Sequence, residues 1–331
     1  MYNFEDEKPK KGRKSSKVKN PLDVAREHFN YAKIYQDSQD YDGAIASYSE
    51  AIKIDPFNSD YYNFRGTAYY ESGEYELAIS DYNQALKLYP ADEMAYYNRG
   101  LAYKDLEEYE QALSDYSRAI AINPNIAEAY NNRGVVYQDL KQYKKAITDY
   151  NRALKINPNL EQAHNNLGLV YQDLQKYDKS ISEFTRLIKL NPNSEEAYNN
   201  RGVSYNYAQK YEQAIDDFTR AIKLFPKYAD AYYNRGSTYC DLKQYDKAME
   251  DFNRTIQLNF LYASAYFKRG KIYKDSKQYD KAISDFDDVI ELDPENAEAY
   301  HLRGECYKEL GETEKADADF TKAKEIGYTE K

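Results

Sequence analysis

Two spacings organise this chain, one short and one long. The short one is helical. Positions that repeat their residue type fall three or four apart, first at 4, 7, 8 and 11 of each 34-residue stretch, then at 20, 21, 24, 27 and 28. A break at positions 15–17 and an Asn-Pro or Asp-Pro pair at 31–32 bound these runs, which predicts two helices joined by a short turn. The long spacing is the period itself. Gly66, Gly100, Gly134, Gly168, Gly202, Gly236, Gly270 and Gly304 stand 34 residues apart, with Ala32 one step earlier. Counted from Ala25, nine periods run without insertion: 25–58, 59–92, 93–126, 127–160, 161–194, 195–228, 229–262, 263–296 and 297–330. A constant period of this size is the mark of stacked repeats.

The repeated residues are specific. Position 11 is Tyr in all nine periods, position 17 is Tyr in eight, and position 20 is Ala in eight, with Ser180 the exception. Position 24 is Tyr in the first four periods and Phe in the last five, and position 32 is Pro in seven. This pattern resembles the tetratricopeptide repeat, and the resemblance covers about nine tenths of the chain. It departs from the family in two ways: Tyr or His replaces Trp at position 4, and Arg usually replaces Leu at position 7. The resemblance implies an all-α fold, a right-handed α-solenoid of nine helix-turn-helix repeats forming about one superhelical turn. Gly at position 8 and Ala at position 20 are expected to let the paired helices approach closely. Of the 39 tyrosines, 28 occupy positions 4, 11, 17 and 24, so the tyrosine-rich composition serves packing. Asp317 and Lys324 stand where earlier repeats carry aliphatic residues, as expected of a terminal repeat whose outer face meets water.

Charge follows the same grid. Position 7 is Arg at Arg65, Arg99, Arg133, Arg201, Arg235, Arg269 and Arg303, and position 23 of those seven repeats is Asp. Repeat one loses both charges together, with Tyr31 and Ser47, while repeat five carries Leu167 and Glu183. The covariation predicts pairing between the two helices of one repeat. Pairing with the preceding repeat fits less well, because Arg65 would face Ser47. The alternative is pairing along the second helix with a basic residue at position 26, such as Arg118 or Arg152.

In the family, first helices line the concave face, which puts positions 2, 5, 6, 9, 12 and 13 in a groove. Position 6 is Asn at Asn98, Asn132, Asn166, Asn200 and Asn234, five consecutive repeats, and also at Asn30. That row resembles the asparagine ladder of the O-linked N-acetylglucosamine transferase superhelix, which holds an extended peptide by paired amide bonds. A carboxamide has the donors and acceptor to meet a peptide group. Family-typical helix-edge hydrogen bonding is the competing reading of the same residues. Five rungs at about 1 kcal/mol each would give only about 0.1–1 mM affinity, so anchors are needed. Leu101, Val135, Leu169 and Val203 at position 9 supply an apolar row. Asn131, Asn165 and Asn199 add amides, and Asp105, Asp139 and Asp173 add an acidic row that is either a solvated face or a contact for basic side chains. The expected ligand is a protein or an extended, partly basic peptide.

Composition narrows the classes. The net charge is −10, yet residues 1–20 carry seven basic and three acidic side chains, so the repeats themselves are acidic and a nucleic-acid partner is not expected. The basic stretch, within a tail spanning 1–24, lacks apolar periodicity and is expected to be disordered. It is either a plain solvated tail or a signal or tether; the expected location is cytoplasmic, or nuclear if the tail is a localisation signal. No apolar run reaches membrane-span length, and Cys240 and Cys306 have neither metal nor disulfide spacing. His28, His164 and His301 show no triad or metal partner spacing, and core packing is expected of His28 and His164. No enzyme and no cofactor are expected. The reading is a non-catalytic scaffold or adaptor. A structural or assembly role through the convex face or self-association, or a regulatory subunit of an enzyme complex, is the alternative. The sequence leaves the oligomeric state open.

Overall fold

The computed structural model describes residues 20–329, and most of the expected basic tail therefore lies outside the described residues. The first helix starts earlier than the 34-residue grid, at Pro21 rather than Ala25. The reason is local. Asn20 accepts the Leu22 N–H at 3.2 Å, and Pro21 supplies the preset φ of a first helical residue.

Eighteen helices and no strands are found among the described residues, in two compact bodies. The N-terminal body holds α1 (Pro21–Asp37), α2 (Tyr41–Ile54), α3 (Ser59–Glu71), α4 (Tyr75–Leu88), α5 (Glu93–Asp105), α6 (Tyr109–Ile122) and α7 (Ala127–Asp139). The C-terminal body holds α8 (Tyr143–Ile156), α9 (Glu161–Asp173), α10 (Tyr177–Leu190), α11 (Glu195–Tyr207), α12 (Tyr211–Leu224) and α13 (Ala229–Asp241). It continues through α14 (Tyr245–Leu258), α15 (Ala263–Asp275), α16 (Tyr279–Leu292), α17 (Ala297–Glu309) and α18 (Thr313–Glu325). Odd-numbered helices are the first helices of the repeats. Within each body every helix packs on the next, and successive first helices also touch, as α3 does α5 and α9 does α11. This is the helix-turn-helix solenoid architecture the periods imply.

The turn inside each repeat is a Schellman motif. Slot 15 is left-handed, with φ of 55–63° at Gln39, Glu107, Lys141, Gln175, Gln209, Lys243 and Lys277, while Gly73 and Gly311 fill the same place elsewhere. The next N–H returns to the Tyr at position 11, as Lys210 to Tyr205 at 2.9 Å, satisfying a helix-end carbonyl.

The position 8 glycine has a steric cause. A Cβ on Gly202 would sit 2.7 Å from the Phe218 ring, and one on Gly66 would sit 2.8 Å from Tyr82. The ring at position 24 therefore lies directly on the glycine backbone. Tyr48, Tyr82, Tyr116, Phe184, Phe218, Phe252 and Phe286 are all fully buried there. A buried phenol needs a partner. Tyr48 finds Gln36 at 2.9 Å and Tyr82 finds Thr67 at 3.4 Å, whereas the Tyr116 hydroxyl is buried without one. Phe at this position in the later repeats removes that requirement.

The inter-helix ion pair is present in repeats two, three and six to nine. Arg Nε donates to Asp at 2.7–2.9 Å and Nη2 at 2.6–2.8 Å, joining Arg65 to Asp81, Arg99 to Asp115, Arg201 to Asp217, Arg235 to Asp251, Arg269 to Asp285 and Arg303 to Asp319. The arginine pairs within its repeat, as the covariation predicts, and also bonds the preceding one. Its Nη1 donates to Ser49, Asn83, Ser117, Thr185, Thr219, Asn253 or Asp287 of the preceding second helix. Each such guanidinium also lies 5.4–5.8 Å from the Tyr ring at position 4 of its own repeat. One arginine thus joins three helices, which a Lys could not do with the same fork.

Candidate functional site

In the N-terminal body, positions 2, 5, 6, 9, 12 and 13 of the first helices open onto one cavity of about 760 Å³. Its lining includes five carboxylates, Asp37, Asp60, Glu71, Asp92 and Glu93, against a single cation, Lys33. Phe64 and Met94 add apolar surface, and Gln36, Asn63 and Asn98 add amides. Asp92 is nearly buried and caps α5 by accepting the Ala95 N–H at 2.9 Å; burial pushes its carboxyl above the usual range despite those backbone bonds. The other four carboxylates have more solvent and leave the cavity strongly negative.

Of the predicted amide row, Asn98 lines this cavity, and Asn98, Asn132 and Asn234 are also used internally. Asn98 Nδ2 donates to Asn63 Oδ1 at 3.1 Å, and Asn132 Nδ2 donates to the Tyr97 hydroxyl at 2.9 Å. In the C-terminal body Asn234 Nδ2 donates to Asn199 Oδ1 at 3.0 Å. Each bond runs from position 6 to position 5 of the repeat before. A parallel set runs from position 12 to the position 13 acid of the repeat after. Gln36 reaches Glu71 at 2.7 Å, the Tyr70 hydroxyl reaches Asp105 at 2.5 Å, and Asn206 reaches Asp241 at 3.1 Å. Both sets span 35 residues, one period plus one, a spacing that polar residues could have been searched for directly.

The remaining candidates divide by exposure. Leu101, Val135, Leu169 and Val203 are half-buried, and Leu101 and Leu169 also pack against core clusters around Tyr116 and Phe184. Asn131 and Asn199 are buried; Asn165, Asn166 and Asn200 are half-buried. The Asn200 carbonyl accepts from Gln172 at 2.8 Å. Asp105, Asp139 and Asp173 are exposed. Burial by its neighbours still pushes Asp139 upward, against the lowering influence of Lys104.

One histidine has a partner that its spacing did not reveal. His164 is 5% exposed, and its Nδ1 lies 2.8 Å from Glu183 Oε2 while Nε2 lies 3.1 Å from the Pro158 carbonyl. It is a packed core residue, as expected, but it also takes over the role of the missing position 7 arginine. His301 stacks on Tyr328 at 4.1 Å between ring centres, above a cavity of about 690 Å³ lined by Lys274, Lys277, Lys308 and Lys324 with Glu305 and Glu309.

Among the described residues no group of three or more metal-ligating side chains is gathered, and no helix is long and apolar enough to cross a membrane. Burial pushes the Cys240 and Cys306 thiols up to about 11, away from the thiolate form a nucleophile needs.

Sequence profiles of the tetratricopeptide repeat match residues 94–126, 127–160, 161–194, 195–228, 229–259 and 297–326, and a TPR-repeat profile matches 32–73, 66–107 and 270–311. No curated protein matches the sequence. Among solved structures, a tetratricopeptide repeat protein from Parabacteroides merdae is 24% identical with a TM-score of 0.55, covering 72% of this chain and 94% of its own. A chain of the APC/C hetero-tetramer Cut9-Hcn1 is 20% identical with a TM-score of 0.57, covering 80% of this chain and 52% of its own. YrrB, described as a TPR protein with an unusual peptide-binding site, is 26% identical with a TM-score of 0.48, covering 56% of this chain and 95% of its own.

Proposed function

The chain belongs to the tetratricopeptide repeat family, and from that premise we propose that it is a non-catalytic adaptor whose first-helix faces hold an extended, basic segment of a partner protein. The observation that carries this is the N-terminal cavity, where five carboxylates face one lysine. Such a concave, single-sign surface concentrates opposite charge and favours Lys- or Arg-bearing ligands. Exposed Asp105 and Asp139 extend the preference along the first helices of that body, and exposed Asp173 carries the same charge on the C-terminal body. The Asn98 and Asn132 carboxamides each donate one bond to the neighbouring repeat, and a carboxamide with one N–H engaged keeps a second N–H for a peptide carbonyl. Asn200 and Asn234 offer the same chemistry on the C-terminal body, where Leu169 and Val203 are half-buried apolar contacts.

The test is titration of a fluorescein-labelled Lys-Ser repeat peptide into wild type and into an Asp37→Asn, Asp60→Asn, Glu71→Gln variant. All three acids are exposed, so the fold should tolerate the changes. Binding should weaken about tenfold or more and should fall steeply with added salt. Equal affinity for the two proteins would exclude the acidic cavity as the binding surface.

A further inference from the structure

Repeat five departs from its neighbours at position 4, His164, position 7, Leu167, and position 23, Glu183. In repeats two to four and six to nine a phenol ring fills position 4 under the position 7 arginine, and Arg220 and Arg254 at position 26 lie 5.8 and 6.0 Å from the Tyr198 and Tyr232 rings. Here the smaller imidazole turns inward to Glu183, and Arg186 at position 26 follows it, donating to the same carboxylate at 2.9 and 3.2 Å. With no position 7 arginine to receive, Asn151 turns its amide back to the Ile147 carbonyl at 2.7 Å. The space these side chains vacate is a cavity of about 450 Å³ between second helices α8 and α10. Its floor is Leu154, Pro158, Leu190 and His164, and its rim is Lys155, Arg186 and Lys189. No carboxylate lines it.

We propose that this pocket is a second binding site, on the second-helix face, for an aromatic side chain flanked by acidic residues in a partner protein. The apolar floor occupies the place where neighbouring repeats put their own aromatic ring, so a ring from outside can fill it. Aromatic burial in such a slot is a common interface anchor. The rim fixes the sign of the flanking charge. Lys155 and Lys189 are exposed, and Glu183, the nearby acid, is already held by His164 and Arg186. The ligand chemistry is opposite to that of the first-helix cavity, so the two sites address different segments.

Fluorescence anisotropy with a labelled acetyl-Glu-Asp-Phe-Asp-Glu peptide tests it. Wild type should bind saturably below about 1 mM, and replacing Phe by Ala in the peptide should weaken binding about tenfold. A Lys155→Glu, Lys189→Glu protein, altered only at exposed positions, should also bind about tenfold more weakly. His164→Tyr should refill the pocket and abolish binding; if that variant loses its melting transition, the charge-reversal protein still decides. Absence of saturable binding to wild type, or equal binding by the charge-reversal protein or by the Ala peptide, would overturn the site. The Lys-Ser peptide should bind all these proteins alike, which separates failure here from failure of the first-helix reading.

Discussion

Repeats five and six solve one problem with different residues. Both bury an acid at position 23, Glu183 in one and Asp217 in the other. In repeat six Arg201 meets Asp217 with two bonds, at 2.7 and 2.8 Å, and sends a third N–H to Thr185 of the preceding repeat at 3.1 Å. In repeat five Leu167 is 1% exposed and apolar, and the longer Glu183 reaches His164 and Arg186 instead. The arginine neutralises the acid and also ties repeat to repeat. The histidine bonds it but makes no bond to Asn151. Part of that lost coupling reappears elsewhere: Ser180, where other repeats have Ala, bonds the Gly168 carbonyl and Ser204 Oγ, both at 2.9 Å. A buried charge thus constrains its partner's chemistry tightly, while the tie between repeats can be relocated.

The largest effect should come from breaking the repeat-six solution. Burial alone pulls Arg201 down, yet its bonds to Asp217 leave it above its ordinary range; burial pushes Asp217 up and outweighs the arginine. Such a pair stands near the balance between desolvation and attraction, so its net stabilisation is small while its half-removal is costly. Arg201→Leu, which copies repeat five without its histidine, should cost about 3–5 kcal/mol in denaturant titration. Arg201→Leu with Asp217→Leu should recover most of that. An Arg201→Leu loss no larger than an exposed-site substitution would remove the contrast between the two repeats.

Next in size is a contact the two repeats share. Gly168→Ala and Gly202→Ala place a Cβ 2.7 Å from the Phe184 and Phe218 rings. Each should lower stability by about 1–3 kcal/mol, because a fully buried ring has nowhere to move. The two losses should match, since the glycine-to-ring contact does not involve the residues that differ. A clear inequality would mean that the position 7 exchange has loosened the packing beneath it.

Much of this was legible in the sequence, for physical reasons that also mark where legibility stopped. The period, the two helices per repeat and the Arg–Asp pairing are written in residue types recurring at fixed offsets. The start of α1 was missed because Asn20-Pro21 is a capping signal outside the 34-residue grid. The His164–Glu183 bond was missed because it occurs once, so no covariation exposed it. The position 6 amides lie in the first helices, but their bonds to position 5 of the preceding repeat depend on how first helices abut. That is a packing fact rather than a periodic one.

A smaller effect should follow from converting repeat five into its neighbours. His164→Tyr, Leu167→Arg and Glu183→Asp together rebuild the fork and let the new arginine reach Asn151, as Arg201 reaches Thr185. One regained hydrogen bond should raise stability by about 1 kcal/mol. The same variant should lose the acidic aromatic peptide, because the restored phenol fills its pocket. A variant destabilised by several kcal/mol would show that the Ser180 network and the arginine fork are incompatible.

The smallest effect separates two amides on adjacent first helices. Asn234 Nδ2 is bonded to Asn199 at 3.0 Å, whereas the Asn200 side chain makes no such bond among the described residues. Alanine improves intrinsic helix propensity at either site by about 0.6 kcal/mol. For Asn200→Ala that gain stands alone, and stability should rise slightly. For Asn234→Ala it is offset by loss of a bond worth about 1 kcal/mol and by the buried Asn199 oxygen left without its donor, so stability should fall. The difference between the two variants should therefore be about 1 kcal/mol or somewhat more, read as a difference in denaturation midpoint under one condition. Peptide affinity supplies the second axis. A carboxamide acting only between repeats would move stability and leave Lys-Ser peptide binding alone; Asn234, with one N–H engaged and one to spare, should move both. A carboxamide held ready for a ligand would do the reverse, and Asn200 is the residue placed for it. If Asn200→Ala changed neither quantity, the amide row would be structural where it is bonded and idle where it is not.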